Sequence, residues 1–218
     1  MIAPKVKICC ISSTAEAQTA IRFGAAALGL VGEMPSGPGV ISDALIREIT
    51  LTMPPPIASF LLTRHTDASS ISKHHALVRT NTIQLVDMPE PEVYGQLREV
   101  LPGIKLVQVV HVLGEESIEE AQRVAEQVDA ILLDSGNPHL KVKELGGTGR
   151  IHDWVISCKI RESISKPLFL AGGLNSENVR EAIEVVQPFG VDVCSGVRTS
   201  GHLDPYKLEK FFEAVGKV

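Results

Sequence analysis

The chain has 218 residues, of which 44% are apolar and 22% are charged, as in folded globular domains and unlike disordered or low-complexity chains. A net charge of −5 argues against a broad nucleic-acid-binding surface, which requires a basic face. The apolar stretches are shorter than the roughly 18 residues of a membrane span, and no signal segment is recognisable, so we expect a cytosolic protein without a membrane partner.

Short apolar segments typical of β-strands alternate with amphipathic segments along the chain. In chain order, the predicted strands are Val6–Ile11, Leu28–Gly32, Ile57–Leu62, Thr82–Val86, Lys105–His111, Ala130–Asp134, Pro167–Ala171 and Asp192–Ser195. Among the predicted helices, Ser42–Leu51 has an N-capping serine, and Ser117–Val128 has apolar residues at the spacing of one buried face. Two more helices are expected to begin at Asn175 and at Asp204-Pro205.

The alternation of strands and helices predicts an α/β fold with a parallel sheet. Eight strand–helix repeats of about 27 residues match a closed (β/α)8 TIM barrel, formed as a single domain by residues 1–218. An open, doubly wound sheet is the alternative. Polar residues follow the first, sixth, seventh and eighth strands, and only a closed ring brings these four strand ends around one pocket. We therefore favour the barrel.

Two neighbouring strand ends carry glycines and small polar residues. Gly172 and Gly173 follow the seventh strand, and Ser195 and Gly196 follow the eighth. Glycine lets the backbone approach a ligand closely, and free N–H groups at such loops bind anions. Barrels often hold a phosphate group after these two strands, so the pattern favours a phosphate site over ordinary strand-to-helix turns.

The first strand contributes a lysine and a cysteine to one face. Because strand side chains alternate, Lys7 and Cys9 share the face directed into the barrel, with Cys9 nearer the catalytic rim. A nearby ammonium group favours the thiolate form of a cysteine, which acts as a base or a nucleophile. A buried, inert thiol is the simpler interpretation of Cys9 taken alone. The four cysteines include no Cys-x-x-Cys pair, so no zinc site is predicted.

Two carboxylates lie at or near strand ends. Asp134 follows three apolar residues, where burial raises the pKa of a carboxyl group and suits it to act as a general acid; a loop-capping role is the alternative. Asp192 lies within an apolar strand and either orients a ligand or pairs with Lys7. The glycine-rich segment Glu144–Gly149 belongs to an unusually long loop, which is expected to be a lid or a binding segment, with Gly147 as a substrate-binding residue.

In this order, the motifs resemble those of the phosphoribosylanthranilate isomerase family. The resemblance covers essentially the whole chain and is carried by Lys7-Ile-Cys9, Ile83-Gln-Leu85, Leu133-Asp134, Gly146–Gly149, Asp153-Trp154, Leu170–Asn175, Val191-Asp192 and Ser195–Val197. It implies an Amadori rearrangement in tryptophan biosynthesis, without a metal or another cofactor. By this resemblance, Asp134 is the general acid and Cys9 the general base, the phosphate is held around Gly172, Gly173, Ser195 and Gly196, and Asp192 faces the substrate.

The sequence also departs from the family pattern. Cys10 stands where the family has glycine, Val86-Asp87 where it has His-Gly, and Arg198 where it often has glutamate. No basic residue lies between Arg22 and Arg47, where the family has an arginine for the anthranilate carboxylate. Two alternatives therefore stay open: a paralogous isomerase acting on a different phosphorylated aminosugar, and a non-catalytic phosphate-binding barrel. We expect a phosphorylated small molecule as partner, no nucleic acid, and a monomer or homodimer.

Overall fold

Eight parallel strands form a closed barrel in the computed structural model, which describes residues 3–137, 140, 143–145 and 149–216. In ring order, the strands are β1 (Lys5–Ile8), β2 (Ala27–Val31), β3 (Ala58–Thr63), β4 (Thr82–Leu85), β5 (Lys105–His111), β6 (Ala130–Asp134), β7 (Leu168–Leu170) and β8 (Gly190–Val193). The ring closes where β1 pairs with β8, with Lys7 opposite Asp192. The predicted α/β barrel is confirmed, and the open sheet is excluded.

A helix follows each strand along the chain. The helices are α1 (Thr14–Arg22), α2 (Asp43–Thr52), α3 (Ala68–Val78), α4 (Pro91–Val100), α5 (Glu116–Ala125), α6 (Trp154–Ser163), α7 (Val179–Val186) and α8 (Pro205–Gly216). A 3-10 turn (Ser195–Val197) and a hairpin of β9 (Arg198–Thr199) and β10 (His202–Leu203) lie between β8 and α8. Among the described residues, no helix is both long enough and apolar enough to cross a membrane.

The alternation of side chains along each strand divides the core into two parts. Ile8, Leu28 and Ile131 belong to the larger cluster between the barrel and its helices. Cys9 and Phe60 belong to a second cluster inside the barrel, and the Lys7 ammonium lies 5.2 Å from the Phe60 ring centroid. As predicted, Lys7 and Cys9 therefore share the interior face of β1.

Local capping explains where two of the predicted helices begin. The Ser42 hydroxyl accepts a hydrogen bond from the Leu45 N–H at 3.3 Å, which confirms the predicted N-cap of α2. The Asp204 carboxylate accepts from the N–H groups of Tyr206 and Lys207 at 3.0 and 3.3 Å. Proline suits the first position of a helix, and α8 begins at Pro205 as predicted.

Two predicted strands end at different residues in the structure. The first strand was expected to reach Ile11, but β1 ends at Ile8, because Cys10 has φ of 61°, a left-handed conformation that interrupts a strand. The last strand covers Gly190–Val193 instead of Asp192–Ser195, because a 3-10 turn begins at Ser195. The other six strands agree with the prediction to within one residue at each end.

Two predicted helices also have different bounds. The helix expected to open at Asn175 begins at Val179. The Asn175 side chain instead accepts hydrogen bonds from the N–H groups of Glu177 and Asn178 at 2.8 and 3.2 Å, which forms a local turn ahead of the helix. The fifth helix covers Glu116–Ala125 rather than Ser117–Val128.

Candidate active site

The carboxyl ends of the strands surround a pocket at one end of the barrel. Six of the nine residues predicted for the site line it: Cys9, Asp134, Gly172, Gly173, Asp192 and Ser195. The other three differ. Lys7 is fully buried and does not line the pocket, Gly196 packs against the Leu174 carbonyl instead of lining it, and Gly147 lies outside the described residues. Residues from the first and last thirds of the chain therefore meet here, as the closed ring requires.

Cys9 and Lys7 lie side by side over a glycine of the neighbouring strand. Lys7 is fully buried, and its ammonium group donates to the Asp192 carboxylate at 2.9 Å. A Cβ at Gly29 would lie 2.7 Å from the Cys9 Sγ and 3.1 Å from the Lys7 Nζ, so only glycine leaves room for both groups. Burial opposes the charge of Lys7, but Asp192 and the nearby Cys9 outweigh it and raise the Lys7 pKa above its usual value.

Gly29 is a site residue that sequence analysis did not single out. It lies inside an apolar strand, where glycine usually weakens packing. A glycine at such a position could have indicated from the sequence that neighbouring groups need the space. Asp192 pairs with Lys7, which is one of its two predicted interpretations, and it also lines the pocket; the orientation of a ligand by Asp192 stays a prediction.

Asp134 lies at the end of β6 and is almost fully buried. Burial raises the pKa of its carboxyl group, while the Ser135 N–H, which donates to it at 2.7 Å, and the charge of Lys7 act in the opposite direction. A raised pKa is the property that a general acid needs near neutral pH. The pocket therefore contains a thiol and a protonatable carboxyl group on different strands.

The loops after β7 and β8 interlock beside these two groups. Gly172 and Gly173 have φ of 83° and 63°, left-handed conformations that favour glycine. Gly196 packs directly against the first of these loops: a Cβ at this position would lie 2.0 Å from the Leu174 carbonyl oxygen. Gly196 thus brings the two loops together, and Ser195, its neighbour, faces the pocket.

A further part of the pocket lining comes from the loop after β2 and from residues of the long loop after β6. Met34, Ser36 and Leu145 line it, and the Ser36 hydroxyl donates to the Lys143 carbonyl at 2.7 Å. The Lys143 ammonium forms an ion pair with Asp87. The negative charge that Asp87 brings to this rim is therefore matched by a neighbouring cation.

His152 was not singled out from the sequence, yet it lies next to Gly172. Its ring is buried, and neither ring nitrogen has a hydrogen-bond partner among the described residues. A Cβ at Gly172 would lie 2.9 Å from the His152 Nδ1, so the ring supports the back of this loop. Burial lowers the pKa of His152 to about 4.

We expect this histidine to make the protein acid-sensitive. Between about pH 6.5 and about pH 4 the unfolded chain takes up a proton at His152 and the folded chain does not, which removes about 3 kcal/mol of stability as the pH falls. His152→Phe should be more stable at pH 7 and lose less stability across this range, as measured by urea unfolding at several pH values. His202→Phe, which changes an exposed histidine, is the control; equal pH slopes for the two variants would contradict the prediction.

We find no recognisable metal-binding site in the parts of the chain that the structure describes. No group of three or more His, Cys, Asp or Glu side chains within them is arranged to hold a metal ion.

Comparison with known proteins identifies the family. Residues 6–214 match the family model described as N-(5'-phosphoribosyl)anthranilate (PRA) isomerase. The chain belongs to the PRA isomerase family. A curated relative, N-(5'-phosphoribosyl)anthranilate isomerase 2 of Methanosarcina mazei, is 37% identical over 209 residues, which cover 95% of this chain and 92% of the relative. The predicted resemblance is confirmed.

Solved structures of PRA isomerases have the same fold. One was determined in complex with reduced 1-(o-carboxyphenylamino)-1-deoxyribulose 5-phosphate; it is 30% identical, with a TM-score of 0.82, and the match covers 99% of this chain and 100% of that one. The PRA isomerase of Thermotoga maritima is 32% identical, with the same TM-score and coverage.

Proposed function

We propose that this chain catalyses an Amadori rearrangement, the isomerisation of N-(5'-phosphoribosyl)anthranilate to 1-(2-carboxyphenylamino)-1-deoxyribulose 5-phosphate in tryptophan biosynthesis. The observation that carries the proposal is that Cys9, just after β1, and Asp134, at the end of β6, line one pocket. The reaction needs an acid and a base that act on one sugar. Membership of the PRA isomerase family supports the same assignment.

Asp134 is the general acid in this proposal. Its raised pKa keeps the carboxyl group protonated at a higher pH than a free aspartate. The proton goes to the ribose ring oxygen, and the bond between that oxygen and C1 breaks. The electron pair of the anthranilate nitrogen then forms the C=N bond of a protonated Schiff base, and Asp134 is left as a carboxylate.

Cys9 is the general base. Its thiolate takes the proton from C2, the electrons of that C–H bond form the C1=C2 double bond, and the positive charge on nitrogen is neutralised. The enolamine that results tautomerises to the 1-deoxyribulose product. We assign Lys7 an electrostatic role: its ammonium group, held by Asp192, lies beside the thiolate and stabilises the negative charge.

The phosphate is expected between the loops after β7 and β8. Gly172, Gly173 and Ser195 line this side of the pocket, where backbone N–H groups suit an anion. Gly196 supports this site by packing the two loops together, and Gly147 keeps its predicted role in substrate binding as part of the proposal. Binding energy from the phosphate, far from the reacting atoms, holds the sugar between acid and base.

The anthranilate ring is expected on the apolar side of the pocket. The apolar side chains there are those of Val31, Met34, Leu62, Val86 and Leu145. Among the described residues, Lys143 accepts a hydrogen bond from the pocket residue Ser36 through its backbone carbonyl, and its ammonium group pairs with Asp87. We assign this ammonium group to the anthranilate carboxylate, which would replace Asp87 as its partner. Because no arginine is available between Arg22 and Arg47, a paralogous isomerase acting on a different amine is the second candidate.

A direct assay tests the proposal. Purified protein mixed with N-(5'-phosphoribosyl)anthranilate should cause a progressive loss of anthranilate fluorescence, and inorganic phosphate should raise KM and leave kcat unchanged, because it competes for the loops after β7 and β8. If the protein binds inorganic phosphate but does not convert this substrate, the result would favour the second candidate, a paralogous isomerase acting on a different amine. If the protein neither binds phosphate nor converts this substrate, both candidate functions are rejected.

A further inference from the structure

One buried ion pair joins the start of α1 to the segment after β8. The guanidinium group of Arg198 lies against the carboxylate of Glu16, with Nη1–Oε1 and Nη2–Oε2 distances both of 3.1 Å. Glu16 lies in the first turn of α1, and Arg198 lies in β9, so the pair joins residues 182 positions apart in the chain. Side-chain exposure is 7% for Arg198 and 12% for Glu16, which makes this a mostly desolvated pair.

The same guanidinium group also holds the backbone at the candidate base. Its Nη2 donates to the Cys10 carbonyl at 2.5 Å and to the Cys9 carbonyl at 3.3 Å. On the other side, the Cys9 N–H donates to the Val193 carbonyl at 2.8 Å. The backbone that carries the Cys9 thiol is therefore held on one side by the last residue of β8 and on the other by Arg198, in the segment that follows β8.

This backbone needs external support because its conformation is unfavourable. Cys10 has φ of 61°, a left-handed conformation that glycine adopts easily and cysteine does not. The loop after β2 packs against it, since a Cβ at Gly39 would lie 2.4 Å from the Cys10 Cβ. Arg198 thus supports Cys10 through a hydrogen bond to its carbonyl group. Gly39, which has no side chain, leaves room for the Cys10 side chain.

Glu16 is held in the charged form that the pair requires. Its carboxylate also accepts from the Ser12 N–H at 3.0 Å and the Leu203 N–H at 2.8 Å. Burial opposes ionisation, but Arg198 and these two N–H groups outweigh it and lower the Glu16 pKa. Each Glu16 oxygen thus has two donors, and the guanidinium group is fixed in one orientation.

We propose that Arg198 is a positioning residue that sets the direction of the Cys9 thiol by holding the carbonyl groups of Cys9 and Cys10. The inference rests on the proposed function, in which Cys9 is the general base. A base must lie within hydrogen-bonding distance of the proton it removes, and a misplacement of about 1 Å costs about 100-fold in rate. Arg198 does not touch the substrate and acts through the backbone of Cys9.

The test compares Arg198→Met, Arg198→Lys and Arg180→Met, the last of which removes an arginine from an exposed ion pair with Glu184. With N-(5'-phosphoribosyl)anthranilate, Arg198→Met should lower kcat about 10- to 100-fold and change KM little, because Gly172, Gly173 and Ser195, which are expected to hold the phosphate, are unchanged. Arg198→Lys, which keeps one charged donor, should recover part of kcat. Arg180→Met should match the wild type. Circular dichroism gives the folded fraction by which each kcat is corrected.

A second measurement needs no substrate. Cys9 lines the pocket but is only 6% exposed, so its rate of reaction with iodoacetamide, followed by mass spectrometry, depends on the direction of the thiol and on local opening of the backbone that Arg198 holds. Arg198→Met should speed this reaction several-fold relative to the wild type and to Arg180→Met. A corrected kcat and a Cys9 alkylation rate equal to those of Arg180→Met would overturn the proposal. If the wild type does not convert the substrate, the proposed function fails, and the alkylation rate still decides whether Arg198 fixes the thiol.

Discussion

Replacing Cys9 by serine is expected to lower kcat by about 10²- to 10⁴-fold, the contribution of a well-placed general base. Serine is nearly the same size, so it fits the space over Gly29 that the thiol occupies. Its hydroxyl group, however, is far less acidic than a thiol and is not ionised near neutral pH, so the proton at C2 of the sugar has no acceptor. The fluorescence assay measures kcat and KM, and KM should change little because the phosphate loops are untouched.

Cys158→Ser is the matched control for this variant. Cys158 lies in α6, outside the pocket, and makes a contact with Glu162 at the helix surface. Its replacement should leave kcat and KM at the wild-type values. A Cys9→Ser protein that is folded and as active as Cys158→Ser would remove the assignment of Cys9 as the base.

Asp134→Asn is expected to have an effect of similar size, about 10²- to 10⁴-fold on kcat, because the amide has no acidic proton to give to the ring oxygen. The amide oxygen of asparagine still accepts the hydrogen bond from the Ser135 N–H, so the loop after β6 should keep its conformation. The loss should therefore appear in kcat, with little change in KM. Urea unfolding should give a stability close to that of the wild type.

The control replaces an aspartate whose role is to cap a helix. Asp204→Asn changes a half-buried aspartate at the start of α8, outside the pocket, and asparagine caps helices about as well as aspartate. Its activity should equal that of the wild type. If Asp134→Asn retains the same activity as Asp204→Asn, a group other than Asp134 protonates the sugar.

Most of the barrel follows from local patterns in the sequence. Alternating apolar residues give the strands, and the capping residues Ser42 and Asp204 give helix starts, because both depend on residues within a few positions of each other. The positions of Cys9 and Asp134 near strand ends can also be predicted from the residues that adjoin them in the sequence. Once a closed ring is inferred, these facts place both residues at one pocket.

Contacts between distant residues account for what sequence analysis missed. The pair of Arg198 with Glu16 joins positions 182 apart, and neither residue has a neighbour in sequence that predicts the other. The left-handed conformation of Cys10 likewise depends on Gly39 and Arg198, so the early end of β1 was not predictable from the residues around Cys10. The start of α7 was predicted too early, at Asn175. An asparagine side chain that accepts hydrogen bonds from the N–H groups two and three positions later is typical both of a turn and of a helix start.

The ion pair between Lys7 and Asp192 lies at the seam where the first strand meets the last. During translation, Asp192 is added 185 positions after Lys7. Until β8 docks, burying Lys7 would leave a charge without its partner, which costs several kcal/mol. In an incomplete nascent chain, the cost of burying Lys7 without Asp192 therefore opposes closure of the barrel. Closure of the barrel is coupled to the pairing of β8 with β1.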